Sequence, residues 1–212
     1  MVFVRRFTLN ILRDDSSQSR PFYMVSSRGT QTILSGKAAG GVIRLKHPRW
    51  ADFEAWAELR RINSDYLRPW EPQMSDSALT RSAYRGRLSR LKKLVQQDRA
   101  FPFHIFREET LVGACNITHI DRGTAQSAKL GYWIGETYSG RGFARASVQA
   151  ASEFCFTGLG LHRVEAAVQS DNSASIKVLK ASGYHFEGTA RGLLKINGAW
   201  RDHDIYAKLS GD

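Results

Sequence analysis

One stretch limits this chain more than any other. Leu130-Gly131-Tyr132-Trp133-Ile134-Gly135 is followed, after three residues, by Ser139-Gly140-Arg141-Gly142-Phe143-Ala144. The first half reads as a strand, the second as a glycine-rich turn, and residues 142–157 as a helix that Gly158-Leu159-Gly160 ends. Glycines at 140 and 142 let the backbone curl, so that several N–H groups point at one place. The helix N-terminus adds its partial positive charge, and Arg141 and Arg145 supply full charges nearby. Together these make a cradle for a diphosphate. No Gly-Lys-Ser/Thr follows, so it is not a Walker A loop, and it is not a dinucleotide fingerprint either.

The surrounding pattern supplies strands and helices in a definite order. Val42–Leu45 reads as a short strand stopped by His47-Pro48. Residues 49–62 carry Trp50, Phe53, Trp56, Ala57 and Leu59 at helical spacing. Tyr66–Pro72 holds two prolines and reads as an ordered aromatic loop, and Ser77–Gln97 as a second amphipathic helix. Strands are expected at Phe101–Phe106, Leu111–Ile120, Ser127–Ile134 and Val164–Val168, with a short helix over Asn172–Ala181. Tyr184–Ile196 and Trp200–Leu209 flank Asn197-Gly198, a strong hairpin signal. Residues 1–30 show no sustained periodicity and are expected to form an arm or an added hairpin, with residues 31–212 as the domain.

At 212 residues the chain is long enough for one full core, and it contains no apolar run able to span a bilayer. Arg5-Arg6 is followed by polar residues rather than an apolar stretch, which argues against export and for a cytoplasmic protein. Cys115 and Cys155 lack a CxxC partner or a histidine cluster, so they are expected as buried thiols, with no metal site. The net charge is +11, and residues 1–49 hold nine Lys/Arg against Asp14 and Asp15. A second basic run comprises Arg81, Arg85, Arg87, Arg90, Lys92 and Lys93. Such a balance favours polyanions: a nucleotide cofactor, RNA or an acidic surface.

The glycine turn resembles the Gln/Arg-x-x-Gly-x-Gly/Ala loop of GNAT-superfamily acetyltransferases, which binds the pyrophosphate of coenzyme A. Ser139 stands where that pattern begins with Gln or Arg, while the backbone cradle is intact. Asp171-Asn172-Ser173-Ala174-Ser175 through Gly183-Tyr184 resembles the superfamily's Asn-x-x-Ser/Ala…Gly-Phe/Tyr signature, in which the Asn helps to hold the pantetheine arm. Read from the residues alone, Asn172 is an N-cap and Ser175 lies one turn on. Many relatives place a tyrosine acid seven residues after that Asn; here the position is Leu179. The resemblance makes Ser175 the expected partner of the departing thiolate.

Two more stretches resemble the RimJ type, the ribosomal-protein-alanine N-acetyltransferases. They are the loop Tyr66-Leu67-Arg68-Pro69-Trp70-Glu71-Pro72 and the final hairpin with Trp200-Arg201-Asp202-His203. The resemblance implies an α/β (α+β) GNAT fold: a mixed, mostly antiparallel sheet with a splayed parallel central pair and helices on both faces. It implies acetyl-CoA as acyl donor, bound by Trp133, Ile134, Gly140, Arg141, Gly142, Phe143, Ala144, Arg145, Asn172 and Ser175. The acceptor would meet Tyr66, Trp70, Glu71, Asp202 and His203, with Glu71 the first candidate for the base. A position that carries Glu in some relatives corresponds to Leu194.

The expected reaction is direct transfer of acetyl to an amine, most simply the N-terminal alanine of a ribosomal protein. The acceptor could be met on the ribosome, with basic residues touching rRNA and the enzyme a monomer or homodimer. An α-amine, with a pKa near ~8, loses its proton more readily than lysine near ~10.4. Two other readings compete. An antibiotic or polyamine N-acetyltransferase would want an acidic cleft, which this basic chain does not advertise. A non-catalytic ribosome- or RNA-binding module would suit the charge but lacks paired stacking aromatics.

Overall fold

A computed structural model of the chain describes residues 23–25, 32–72 and 74–212. The described strands are β1 (Tyr23–Val25), β2 (Thr32–Ala38), β3 (Gly41–Lys46), β4 (Phe101–Arg107), β5 (Thr110–Asp121), β6 (Ser127–Ile134), β7 (Arg163–Gln169), β8 (His185–Ile196) and β9 (Ala199–Leu209). The helices are α1 (Phe53–Ile62), α2 (Ser64–Leu67), α3 (Arg81–Gln96), α4 (Phe143–Glu153) and α5 (Ser173–Ala181). Except for Tyr23–Val25, the expected arm of residues 1–30 lies outside the described residues.

All nine strands join one sheet in the order β1-β2-β3-β4-β5-β6-β7-β9-β8. Every neighbouring pair is antiparallel except β6 with β7, which run parallel. Five successive residues of β4, Pro102–Phe106, are buried, because helices cover both faces of the sheet there. On one face α4 and the turn after it pack Phe143, Val148, Ala151 and Phe154 against Leu45, Phe103, Ile117 and Val164. On the other, α1 and α3 bury Phe53, Trp56, Leu59 and Tyr84 against Phe106 and Leu111. Cys115 and Cys155 are both fully buried free thiols. None of the described helices is long and apolar enough to cross a membrane.

Several elements differ from the sequence expectation, beginning with β2, which pairs with β3 where no strand was expected. The helix expected over 77–97 breaks at Thr80, whose backbone is extended and whose Oγ1 accepts from Ala83 N–H; a 3-10 turn precedes it and α3 follows. A good N-cap residue interrupts the apolar period there. The aromatic loop opens with the helical turn α2, so Tyr66 and Leu67 are helical, and Arg68 closes that turn with its N–H on Ser64 C=O, just ahead of Pro69. The last turn after α4 widens into a π turn, Phe154–Gly158, that keeps Phe154 and Cys155 both inside the core.

Candidate active site

The parallel pair comes apart at its C-terminal end. β6 and β7 are in register only at Ser127–Arg163, Ala128–Val164 and Lys129–Glu165. Beyond that point β6 stays with β5 through Ile134 and β7 stays with β9 through Gln169, so a cleft opens between them. Gly135 N–H donates to Val112 of β5 at 2.9 Å. Backbone direction alternates along a strand, so Trp133 also faces β5, whereas Tyr132 and Ile134 present their N–H and C=O groups to the cleft. Of the two expected donors, Ile134 has the backbone N–H aimed the right way.

At the end of β6 the chain makes a 3-10 turn, Glu136–Tyr138, and enters the glycine loop. Gly140 and Gly142 sit at φ 74° and 79°, left-handed values that cost a side chain. Gly142 caps α4 with no side-chain hydrogen bond, and the first helical bond runs from Ala146 N–H to Gly142 C=O. The N–H groups of Phe143, Ala144 and Arg145 precede it and lack intrahelical acceptors. Phe143's ring is buried and Ala144 is half-buried, so these two offer a ligand backbone only. Arg141 and Arg145 are exposed, with Arg141 lying 5.9 Å over the Tyr138 ring. The turn between β2 and β3 supports the loop from outside. Gly40 N–H donates to Arg141 C=O at 3.0 Å, and a Cβ on Gly40 would lie 2.8 Å from both Arg141 Cβ and the Phe143 ring.

α5 forms the opposite lip. Asn172 Oδ1 accepts from Ser175 N–H at 3.0 Å, which is the expected cap, and the Asn172 side-chain NH2 has no partner among the described residues. Ser175 Oγ is 2.7 Å from Tyr132 Oη, which also lies 3.3 Å from Ser175 C=O. Burial pushes the Tyr132 phenol well above its ordinary range, so it keeps its proton. Leu179, one turn further along α5, is fully buried in the core.

The expected acceptor side is assembled differently. Glu71 is ion-paired with Arg60, a nearly buried guanidinium (8% exposed) that also lies 5.0 Å over the Trp133 ring. Glu71 uses Oε1 for that pair, and Oε2 has no partner among the described residues. The carboxylate lines a pocket with Arg61, Ser64, Arg68, Pro72 and Met74. Tyr66 Oη reaches Ser139 Oγ of the glycine loop at 3.1 Å. Gln169 Nε2 donates to Pro69 C=O at 2.8 Å, and Asn197 Nδ2 to Arg68 C=O, which hold the chain beside the half-buried Trp70. Asn63 ties this region to the end of β6 by accepting from Glu136 N–H at 2.7 Å.

Asp202 and His203 do not line that pocket. Asp202 accepts from Gly192 N–H at 2.7 Å and closes an irregularity in β8; His203 is buried, with Nδ1 3.0 Å from Arg201 C=O. His203 is opposite Gln169 in the β7–β9 register, one strand from the residue that clamps Pro69. Tyr132, Arg60, Asn63, Gln169 and Asn197 all shape the site without having been singled out as site residues in the sequence. Only Asn197 carried a signal there, as a hairpin turn.

A strand that parts from its parallel neighbour, a diphosphate cradle at its end and an open slot between them define an acyl-coenzyme A transferase. The family comparison agrees: the acetyltransferase (GNAT) domain family matches residues 43–185, and the chain belongs to it. It is an acetyl-CoA-dependent N-acetyltransferase. The residues present suit coenzyme A, with free helix N–H groups and two arginines for the pyrophosphate and strand amides for the pantetheine arm.

Among similar proteins, a probable N-acetyltransferase of Bacillus subtilis, YjcK, is 31% identical over 175 residues, covering 82% of this chain and 97% of that one. The [ribosomal protein uS5]-alanine N-acetyltransferase of Escherichia coli is 32% identical over 175 residues, covering 81% and 88%. In structure, Mycobacterium smegmatis RimJ in complex with CoA-disulfide superposes with a TM-score of 0.81 at 29% identity, covering 91% of each chain.

Proposed function

We propose that this chain is a cytoplasmic enzyme that acetylates the α-amine of a protein N-terminus, the N-terminal alanine of a ribosomal protein being the acceptor. The observation that carries the reading is Glu71. Its carboxylate lines a pocket and is fixed through one oxygen by Arg60, whose guanidinium also lies over the Trp133 ring of β6, while the other oxygen has no partner among the described residues. An ammonium entering there is held by Oε2, which draws off its proton. Acetyl-CoA supplies the acetyl group as an activated thioester. The Ile134 N–H polarises the carbonyl as charge builds on its oxygen. As the amine nitrogen bonds to the carbonyl carbon and the C–S bond breaks, the Ser175 hydroxyl donates to the sulfur. The relatives named for uS5 alanine acetylation and RimJ support this acceptor.

Asp202 and His203 support the site from the sheet rather than touching the acceptor. A polycationic antibiotic or polyamine fits less well, because the pocket sets Arg60, Arg61 and Arg68 against only Glu71 and Asp76, with Glu71 already paired to Arg60, which suits one ammonium rather than several. The ribosome is favoured as meeting place by α3. It has no acidic residue, and Arg81, Arg85, Arg90, Lys92 and Lys93 all stand exposed. Arg81 and Arg85 also flank the exposed Trp50 ring at 5.9 and 5.1 Å, an arrangement suited to RNA.

Mass spectrometry of a peptide that begins with Ala and contains one lysine tests the acceptor. Acetyl is expected on the α-amine, and acetyl confined to the lysine side chain overturns the assignment. Binding to ribosomal particles should weaken steeply as salt rises; a salt-independent association overturns the rRNA contact alone.

A further inference from the structure

We infer that Tyr132 is a positioning residue for the leaving-group step, acting by holding the Ser175 hydroxyl as a donor toward the sulfur. The inference rests on the assignment of Ser175 to the departing thiolate.

A serine hydroxyl has one proton, and a donor that spends it on a protein acceptor has nothing to give a thiolate. Ser175 Oγ has one hydrogen-bond neighbour among the described residues, Tyr132 Oη at 2.7 Å, the usual spacing for an O–H···O bond. The outcome depends on which oxygen donates. If Ser175 donates, its proton is directed at the phenol. If Tyr132 donates, Ser175 Oγ accepts and its own proton is free to turn into the cleft. Tyr132 is built to be the donor. Among the described residues its hydroxyl meets two acceptors, Ser175 Oγ at 2.7 Å and Ser175 C=O at 3.3 Å; the hydroxyl oxygen is the nearer of the two for its single proton, which it retains in this half-buried position.

Negative charge growing on sulfur favours the same direction throughout: Tyr132 to Ser175, Ser175 to sulfur. Aligned bonds polarise one another. Tyr132 does not give up its proton, so no tyrosinate forms and the chain acts by hydrogen bonding alone.

The placement explains how the site works without a tyrosine at position 179. That position is filled by Leu179, fully buried in the core. The phenol comes instead from β6, from the segment beyond Lys129 where β7 has departed. The same strand therefore offers the cleft both the Ile134 N–H and, on its α5 face, the Tyr132 hydroxyl.

Single-turnover release of the coenzyme A thiol, read on the full-length protein with any accepted amine or with water, tests this. Tyr132→Phe should slow release about five- to tenfold, with the calorimetric Kd for acetyl-CoA within about twofold of wild type. Ser175→Ala should slow it at least as much. The double variant should be no slower than Ser175→Ala, because Tyr132 acts through Ser175. Additive losses, or a loss of acetyl-CoA affinity in Tyr132→Phe that matches its loss of rate, would make Tyr132 a packing residue and overturn the inference. A slow Ser175→Ala with an unimpaired Tyr132→Phe overturns the role of Tyr132 alone, whereas an unimpaired Ser175→Ala overturns both assignments. If Tyr132→Phe does not fold, 3-fluorotyrosine at 132 preserves the shape and strengthens the donor. Release at or above the wild-type rate supports the inference, and a fall overturns it.

Discussion

The two walls of the cleft are made of different materials. On the expected cofactor side the groups on offer are largely backbone, with Arg141 and Arg145 beside them: the N–H groups ahead of Ala146, shaped by glycines at φ 74° and 79°, and the strand amides of β6 where β7 has left. On the acceptor side they are side chains in long-range contacts: Glu71 on Arg60, Gln169 on Pro69, Asn197 on Arg68 and Asn63 on Glu136. A backbone cradle should tolerate a changed side chain, such as Ser139 in place of Gln or Arg. A wall of side chains does not, since each contact depends on a partner from another element.

That contrast is broken most directly at Gly142. An aspartate there would cap the N–H groups of α4 with its own carboxylate, occupying the place of the diphosphate. The left-handed backbone costs it about 1 kcal/mol, and its Cβ would meet Ala38 Cβ at an ordinary 3.5 Å. Gly142→Asp should therefore fold yet lose acetyl-CoA affinity by more than about 100-fold in calorimetry. Affinity close to wild type would mean that the cofactor wall is not made of backbone.

A smaller effect is expected on the other wall. Glu71→Ala should raise the KM for an Ala-starting peptide about tenfold, with acetyl-CoA affinity unchanged. It also strands the Arg60 guanidinium, which is only 8% exposed. Losing that charged partner costs about 2 kcal/mol, or about 4–8 °C in Tm for a chain of this size. A variant with a lower Tm and an unaltered peptide KM would reduce Glu71 to a structural partner of Arg60.

The same contrast governs how much could be read from the sequence. The order of elements from β3 to β9, the cap at Asn172 and the glycine loop were legible, because each is a local pattern of period, cap or glycine placement. The break at Thr80 was not, since the apolar spacing carries on across it and only the cap geometry reveals the change. Tyr132 looked like one more aromatic in a strand until α5 brought Ser175 within 2.7 Å, from 43 positions away. Arg60 was a basic residue on a helix until it met Glu71 and the Trp133 ring. The Trp-Arg-Asp-His run was legible as a resemblance, but burial of His203 and the bond from Gly192 to Asp202 turn two of its residues toward the sheet.

The Gly40 bond to Arg141 bears on where the chain can be cut. The family match spans 43–185, and a fragment with those ends would look whole by its motifs. It would lack the β2–β3 turn, so the outer side of the glycine loop would face water where Gly40 now holds it at 3.0 Å. It would also lack β9, leaving β7 with an unpaired edge along all seven of its residues, and Asn197, which fastens Arg68. Such a fragment would retain every residue of the family match while missing the scaffolding on both sides of its cleft.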